Sequence, residues 1–238
     1  PVTDGVPHQV VLSPERSAPD VEFVRTDEAG LAEHLRDLGR YSFDLSRELP
    51  LRVCLFELGE QEHALLLLLH HIASDGWSDA PLSRDLSTAY AARLRGSAPD
   101  WAPLPVQYAD YALWQRDLLG DEDDPQSLVS QQLAFWSEDL AGLPERLELP
   151  TDRPRPPVAS YRGDEVEFEI SAELHRGLLE LARQTGTTLF MVVQAGLSAL
   201  LTRLGAGTDI PLGSVIAGRS DEALEELVGF FVNTLVLR

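Results

Sequence analysis

The sequence contains one cysteine, one methionine and half as many basic residues as acidic ones. A single cysteine, Cys54, cannot form an internal disulfide, which is compatible with a reducing compartment. The balance of 19 Lys and Arg against 39 Asp and Glu gives a net charge of −20 and argues against a nucleic-acid-binding protein. No apolar run approaches the roughly 20 residues of a membrane helix. No signal peptide or zinc-like ligand spacing is visible either, so we expect a cytoplasmic protein without a membrane or metal partner.

What is present is enough apolar material, 44% of the residues, for a sizeable core. Cys54 lies among apolar neighbours and is predicted to be a core residue rather than a nucleophile. The only methionine is Met191, and the last residues, 235–238, are typical of an unfinished strand. We therefore expect the chain to be a fragment.

One stretch dominates the sequence, because an apolar run ends abruptly in two histidines. The run Leu65–Leu69 is followed by His70 and His71, and then by Asp75 and Gly76. Such a run predicts a strand buried on both faces, along which the two histidines would point to opposite sides. Imidazole has an unperturbed pKa of about 6.5 and accepts protons near neutral pH. One histidine is therefore a candidate general base, although histidines at a strand end are more often held by local hydrogen bonds.

Hydrophobic periodicity predicts alternating strands and helices on both sides of a proline-rich connection. The predicted strands are 8–12, 21–24, 51–58, 64–71, 165–170, 210–216 and 230–236. The predicted helices are 27–38, 79–94, 106–119, 126–140, one capped by Ser171, and an apolar, buried one at 188–204. The connection, 150–162, divides the chain into subdomains 1–149 and 163–238. We read an α/β (α+β) architecture with a site between the two subdomains.

Several stretches together resemble the condensation domains of non-ribosomal peptide synthetases. The segment 70–78, His-His-Ile-Ala-Ser-Asp-Gly-Trp-Ser, resembles the family's His-His-x-x-x-Asp-Gly motif. The segments 108–114 and 228–235 are similar to the family's Tyr-x-Asp-(Phe/Tyr)-Ala-x-Trp and Gly-x-Phe-Val-Asn-Thr motifs. Shorter matches lie at 43–45, 151–154 and 216–219. The motifs follow the family's order, whereas its opening and closing motifs are absent.

The resemblance implies a chloramphenicol acetyltransferase-like fold, in which two α/β subdomains form a V with the active site in a tunnel between them. The second subdomain would be incomplete in this chain. The implied reaction joins an aminoacyl or peptidyl thioester donor to the amine of an aminoacyl thioester acceptor. Both substrates would arrive on phosphopantetheine arms of upstream and downstream peptidyl carrier proteins, beside an adenylation domain. No cofactor would be bound by the domain itself.

The resemblance also assigns roles to residues of the motifs. His71 would accept or orient the amine proton, Asp75 would either polarise His71 or hold the loop through Arg219, and Gly76 would allow a close backbone approach where a side chain would intrude. His70 is expected to have a structural role. The residues that could line the tunnel are Trp77, Ser78 and Asn233.

Two other functions remain open from the sequence. An acyltransferase that uses free acyl-coenzyme A would also carry His-x-x-x-Asp, but would lack the Asn-Thr segment. A degenerate module that only docks carrier proteins is the non-enzymatic alternative, against which the intact histidine pair argues.

Overall fold

The computed structural model describes residues 1–161 and 163–238, and it confirms the α/β class. The strands of this described part are β1 (Val2–Thr3), β2 (Val6–Pro7), β3 (Val21–Arg25), β4 (Leu51–Glu57), β5 (His63–Leu69), β6 (Leu212–Ile216) and β7 (Asn233–Leu237). Its α-helices are α1 (Glu28–Leu38), α2 (Asp79–Leu94), α3 (Tyr108–Leu119), α4 (Leu128–Asp139), α5 (Ala172–Thr185) and α6 (Leu189–Arg203).

A three-stranded sheet in the order β3-β4-β5 precedes the histidine motif. Strand β3 runs parallel to β4, and β4 forms an antiparallel hairpin with β5, in which Leu51 opposes Leu69 and Glu57 opposes His63. The hairpin predicted from the sequence is thereby confirmed. Phe56 is fully buried and Cys54 is buried beside it on β4, so the cysteine is a core residue as expected.

Strand β5 differs from its prediction in where it ends and in how deeply it is buried. It ends at Leu69, and a 3-10 turn, His71–Ala73, begins directly after His70. The strand alternation that was expected to separate the two histidines therefore does not reach them. Leu65 is 45% exposed, so the strand is not buried on both faces.

The helices lie within about two residues of their predicted bounds, because their capping signals are local in the sequence. Asp27, Ser171 and Thr188 each accept a hydrogen bond from a backbone N–H of the first turn of α1, α5 and α6. Helix α5 ends at Gly186, whose φ of +65° is the left-handed conformation that glycine adopts without strain.

Three predictions from periodicity are wrong. Residues 165–170 form no strand, and Val166 and Phe168 are 88% and 85% exposed, because no neighbouring chain segment in the described residues pairs with them. Residues 8–12 are also not a strand; the short β1-β2 ladder forms instead around Asp4. Helix α6 was expected to be buried but has no buried residue, because its packing against α5 covers only part of its apolar surface and leaves Phe190 and Leu200 more than half exposed.

The chain divides into two compact units. The first comprises residues 1–120 and 215–233, and the second comprises 121–214 and 234–238. The boundaries drawn from the sequence, 1–149, 150–162 and 163–238, stay a prediction, and Arg162 lies outside the described residues. Among those residues no single helix is long and apolar enough to cross a membrane, although the pair α5 and α6, bent by 104°, passes on length and composition.

Candidate functional site

The loop that follows the two histidines is held by Asp75. Its side chain caps the 3-10 turn Gly76–Ser78, which leads directly into α2. The N–H of Ser78 donates to Asp75 Oδ1 at 3.0 Å, and the Ser78 hydroxyl lies within hydrogen-bond distance of both the carboxylate and the Asp75 N–H. Asp and Ser three residues apart thus form a reciprocal capping box.

The same carboxylate joins the loop to a distant part of the first unit. Arg219 donates from Nη2 to Asp75 Oδ1 at 3.2 Å and to Ser78 Oγ at 2.9 Å. The second carboxylate oxygen, Oδ2, accepts from the N–H of Phe231 at 2.9 Å. The side chains of Arg219 and Asp75 are only 5% and 0% exposed. Both oxygens are therefore engaged, and none of the hydrogen bonds in residues 1–161 and 163–238 joins Asp75 to His71.

Arg219 links this network to the apolar core of the unit. Its guanidinium lies 4.1 Å above the centre of the Phe231 ring and donates from Nη1 to the carbonyls of Leu224 and Leu227. These three residues pack together with Tyr111 as the main buried cluster. A guanidinium suits this position because it can stack on a ring while donating in plane to several acceptors.

The segment 229–231 is held at each residue. The Gly229 N–H donates to the Ser78 hydroxyl oxygen at 3.1 Å, and the Gly229 carbonyl, 2.9 Å from that oxygen, is the alternative to Asp75 Oδ1 as acceptor of its single proton. The Tyr108 hydroxyl donates to the carbonyl of Phe230 at 2.6 Å. A Cβ on Gly229 would lie 2.4 Å from the Tyr108 ring, so only glycine lets the aromatic ring sit against this backbone.

Two pKa shifts follow from this arrangement. Burial alone would raise the pKa of Asp75, but the hydrogen bonds from Phe231, Ser78 and Arg219, together with the Arg219 charge, outweigh it and hold that pKa below its usual 3.8. Asp75 is therefore an anion at neutral pH. The pKa of Tyr108 is raised, first by burial and then by electrostatic interaction with Tyr111 and Asp75. The Tyr108 hydroxyl therefore stays protonated and can donate to the carbonyl of Phe230.

The two histidines have different surroundings. His70 is half-buried, accepts a hydrogen bond at Nδ1 from the N–H of Ile72 at 3.0 Å, and packs edge-on against Phe43. His71 is exposed, and its ring meets Phe230 with the centroids 5.2 Å apart and the planes at 86°. Within the described part of the chain the His71 ring makes no hydrogen bond, so its nitrogens are available for proton transfer.

The other predicted site residues are distributed differently from the expectation. A Cβ on Gly76 would meet nothing within 4 Å, so the steric reason expected for this glycine is not found in the chain's own atoms. Trp77 is 49% exposed, and Asn233 is exposed at the start of β7. Ser78, expected along a tunnel, is fully buried and belongs to the Asp75 network. No cluster in the described residues has the three or more ligands that a metal ion needs.

Sequence reasoning did not predict the roles of three residues at the site, which are Ser78, Tyr108 and Phe230. The Asp-x-x-Ser spacing of Asp75 and Ser78 is a capping signal that could have revealed the buried role of Ser78. Tyr108 and Phe230 both lie in family motifs, but no local signal indicates that they meet, because 122 residues separate them.

These features define the class of protein: it is an α/β protein of the chloramphenicol acetyltransferase-like fold, with an accessible histidine and, in the same motif loop, an aspartate that forms a buried, hydrogen-bonded pair with a distant arginine. A model of the family described as "Condensation domain" matches residues 3–238. The chain belongs to the condensation domain family.

Similar proteins agree with this assignment. The chain is 62% identical over 236 residues to a protein of Salinispora arenicola (strain CNS-205) described as "Probable non-canonical nonribosomal peptide synthetase (NRPS) CymA", covering 99% of the chain and 3% of the relative. It is 57% identical to the dimodular nonribosomal peptide synthase of Bacillus subtilis (strain 168), covering 100% of the chain and 10% of the relative. The chain thus spans a tenth or less of these curated relatives.

Among solved structures, the X-domain from teicoplanin biosynthesis is similar to this chain. Its crystal structure matches with a TM-score of 0.91 and 38% identity, covering 100% of this chain and 52% of that one. Its complex with OxyB matches with a TM-score of 0.86 and 39% identity, covering 93% and 49%.

Proposed function

We propose that this chain supplies the active histidine for peptide-bond formation between two carrier-bound thioesters. The observation that supports the proposal is that Asp75 and His71 have different surroundings within one motif. The carboxylate of Asp75 is bonded to Arg219, Ser78 and Phe231, whereas His71 lies exposed at the start of the same loop, and neither of its ring nitrogens makes a hydrogen bond in the described residues. The loop is held by one residue, and another is left for chemistry.

In the proposed reaction, the α-amine of the acceptor attacks the donor's thioester carbonyl. A C–N bond forms, the C–S bond breaks, and the thiolate leaves on the donor's phosphopantetheine arm. His71 takes or orients the amine proton, which ends on the departing thiol. The open space in front of Gly76 supports an approach of substrate to the loop at this point. Trp77 and Asn233 are proposed to contact the substrate, while Ser78 and His70 support the loop.

The proposed partners follow from the family. They are the upstream and downstream peptidyl carrier proteins and a neighbouring adenylation domain, in the cytoplasm, with no cofactor held by the domain itself. The likeness to a dimodular nonribosomal peptide synthase supports this setting.

The test uses carrier proteins loaded with donor and acceptor aminoacyl groups and the protein as its gene encodes it. Mass spectrometry should detect a dipeptidyl thioester with wild type and a loss of about 100-fold or more in its rate of formation with His71→Ala. His70→Ala is the matched control for the adjacent histidine and should retain more activity. If the protein instead transfers an acyl group from free acyl-coenzyme A, it is an acyltransferase of the alternative kind, which does not use carrier proteins as donors.

A second candidate function is a docking module that binds another protein without joining substrates. The observation that favours it is the likeness to the X-domain that was solved in complex with OxyB. Absence of transfer from either donor, with retained binding of a loaded carrier protein, would support this candidate.

A further inference from the structure

An imidazole that handles a proton must be held in one orientation, and a carboxylate on the opposite ring nitrogen often does this. In this chain Asp75 does not act in that way, because both of its oxygens are bonded to other groups. The contact that the structure provides for the His71 ring is instead Phe230, at 5.2 Å and 86°. This perpendicular arrangement is a preferred geometry for paired rings.

Phe230 differs from its neighbour in what it does for the fold. Phe231 is 4% exposed and lies in the core under the Arg219 guanidinium. Phe230 is 38% exposed and faces His71. The Phe230 ring therefore lies outside the buried cluster and packs against the His71 ring instead.

The backbone around Phe230 is held by hydrogen bonds to three other residues. The Phe230 carbonyl accepts from the Tyr108 hydroxyl, the N–H of Gly229 donates to Ser78, and the N–H of Phe231 donates to Asp75. Tyr108 also packs against Phe231, with centroids 5.1 Å apart. Because three successive residues are anchored, the direction in which the Phe230 side chain leaves the backbone is fixed.

We propose that Phe230 is a positioning residue for His71, and that Tyr108 sets the position of Phe230 through its carbonyl. The Asp75 network then reaches His71 through segment 229–231 and an aromatic contact rather than through a direct hydrogen bond. This inference rests on the proposed function, in which His71 acts on the acceptor amine.

The first variant is Phe230→Leu, which keeps an apolar side chain but removes the ring. Phe230→Tyr keeps the ring, and its added hydroxyl can reach solvent because the side chain is partly exposed. Phe23→Leu is the matched control, because Phe23 lies on β3 in the same unit and is 75% exposed. Thermal unfolding of each variant checks that the fold is kept.

The readout that a merely structural role would not move is the NMR spectrum of the His71 imidazole, assigned by its loss in His71→Gln. Phe230→Leu should shift the ring resonances of His71 through loss of the ring current, and it should also average the three-bond couplings across His71 χ1, because the imidazole is no longer held in one orientation. Phe230→Tyr and Phe23→Leu should leave the resonances and the couplings near their wild-type values. Unchanged couplings of His71 in Phe230→Leu, even with shifted resonances, would overturn the proposal, whether or not the protein has transfer activity.

The kinetic readout separates positioning from substrate binding. Phe230→Leu should lower kcat by about tenfold with little change in KM, and Phe230→Tyr should restore it. A rise in KM at constant kcat would show that Phe230 binds substrate instead, and would overturn the positioning role. If wild type has no transfer activity, the proposed function fails while the NMR result still decides this inference.

Tyr108→Phe tests the second half, because it removes the hydroxyl and keeps the ring that packs against Gly229 and Phe231. It should move the His71 resonances in the direction seen for Phe230→Leu, by a smaller amount. If the His71 resonances stay in place, Tyr108 has no part in setting Phe230.

Discussion

Each unit of the molecule contains an Asp–Arg pair, and the two pairs differ in how far their side chains are exposed to solvent. In the first unit, Arg219 and Asp75 lie 144 residues apart, with side chains 5% and 0% exposed. In the second unit, Arg238 and Asp209 lie 29 residues apart, with side chains 32% and 38% exposed.

The exposed pair has the better contact geometry. Arg238 donates from Nη2 and Nε to the two oxygens of Asp209 at 2.7 and 3.1 Å, whereas Arg219 reaches one oxygen of Asp75 at 3.2 Å. Exposed pairs nevertheless contribute little, since water screens them and holds the separated ions well. Loss of one partner from a buried pair leaves a charge without compensation. Burial, and not distance, therefore predicts which pair the fold depends on.

The largest effect is expected for Arg219→Ala. The variant leaves the Asp75 carboxylate buried without its cation and leaves the carbonyls of Leu224 and Leu227 without their donor. We expect a loss of about 3–5 kcal/mol in the free energy of unfolding, or failure to accumulate as soluble protein. Urea unfolding followed by circular dichroism measures it.

The control for this variant is Arg238→Ala, which removes the same side chain from the exposed pair. Equal free energies of unfolding for the two variants would show that burial does not decide how much each pair contributes. If Arg219→Ala melts normally and loses only transfer activity, then Arg219 acts in chemistry rather than in holding the loop.

A smaller loss of stability is expected for Ser78→Ala, which removes a neutral hydroxyl that is hydrogen-bonded to both members of the buried pair. Its hydroxyl serves Asp75, Arg219 and Gly229 at once and is fully buried. We expect a loss of about 1–3 kcal/mol in the free energy of unfolding, because buried polar partners are left unsatisfied. Ser87→Ala is the matched control, since its hydroxyl bonds one exposed carbonyl in α2. If the two serine variants unfold alike, the network does not depend on the hydroxyl.

The local parts of this structure could be predicted from the sequence, because their signals are local. The cap at Ser171, the bounds of α2 and the hairpin of β4 with β5 depend on residues close together in the chain. The prediction of a strand at 165–170 was wrong for the opposite reason. Alternation in the sequence shows that a segment could be a strand, but pairing needs a neighbour, and the sequence does not name one.

In the site, too, features that depend on distant residues could not be predicted from local sequence signals. The pairing of Asp75 with Arg219 was a hypothesis taken from a family resemblance, since nothing local joins residues 144 positions apart, and the structure places the two in contact. The burial of Ser78 and the contact of His71 with Phe230 were not foreseen, because both arise from the return of segment 229–231 to the motif loop. The catalytic roles of His71 and Gly76 stay predictions.

Acid should destabilise the fold through the buried pair. Hydrogen bonds and charge hold the pKa of Asp75 below its usual 3.8, against the effect of burial. The folded chain thus binds fewer protons than the unfolded chain between the two pKa values, so stability is present above the unfolded value and is lost as pH falls through the folded one. Urea unfolding from neutral pH down to about pH 3 should show this loss. Asp75→Asn, less stable at neutral pH, should show a flatter dependence.

Salt separates the acid responses of the two pairs. The Arg238 hydrogen bond also lowers the pKa of Asp209, so Asp209→Asn removes a similar titration at the surface. High salt should shrink the contribution of Asp209, because exposed charges are screened, and should leave that of Asp75 nearly intact. Equal salt sensitivity of the two would show that water reaches Asp75.

The smallest effect is expected for Asp209→Asn at neutral pH. The side chain is partly exposed, and Arg238 keeps other acceptors in the carbonyls of Asp139 and Ala141 when the carboxylate is removed. Water can solvate the remaining charge, so the midpoint of thermal unfolding should stay close to that of wild type. Differential scanning calorimetry of Asp209→Asn beside Asp75→Asn measures the contrast directly. A drop for Asp209→Asn as large as that for Asp75→Asn would mean that geometry, rather than burial, ranks the two pairs.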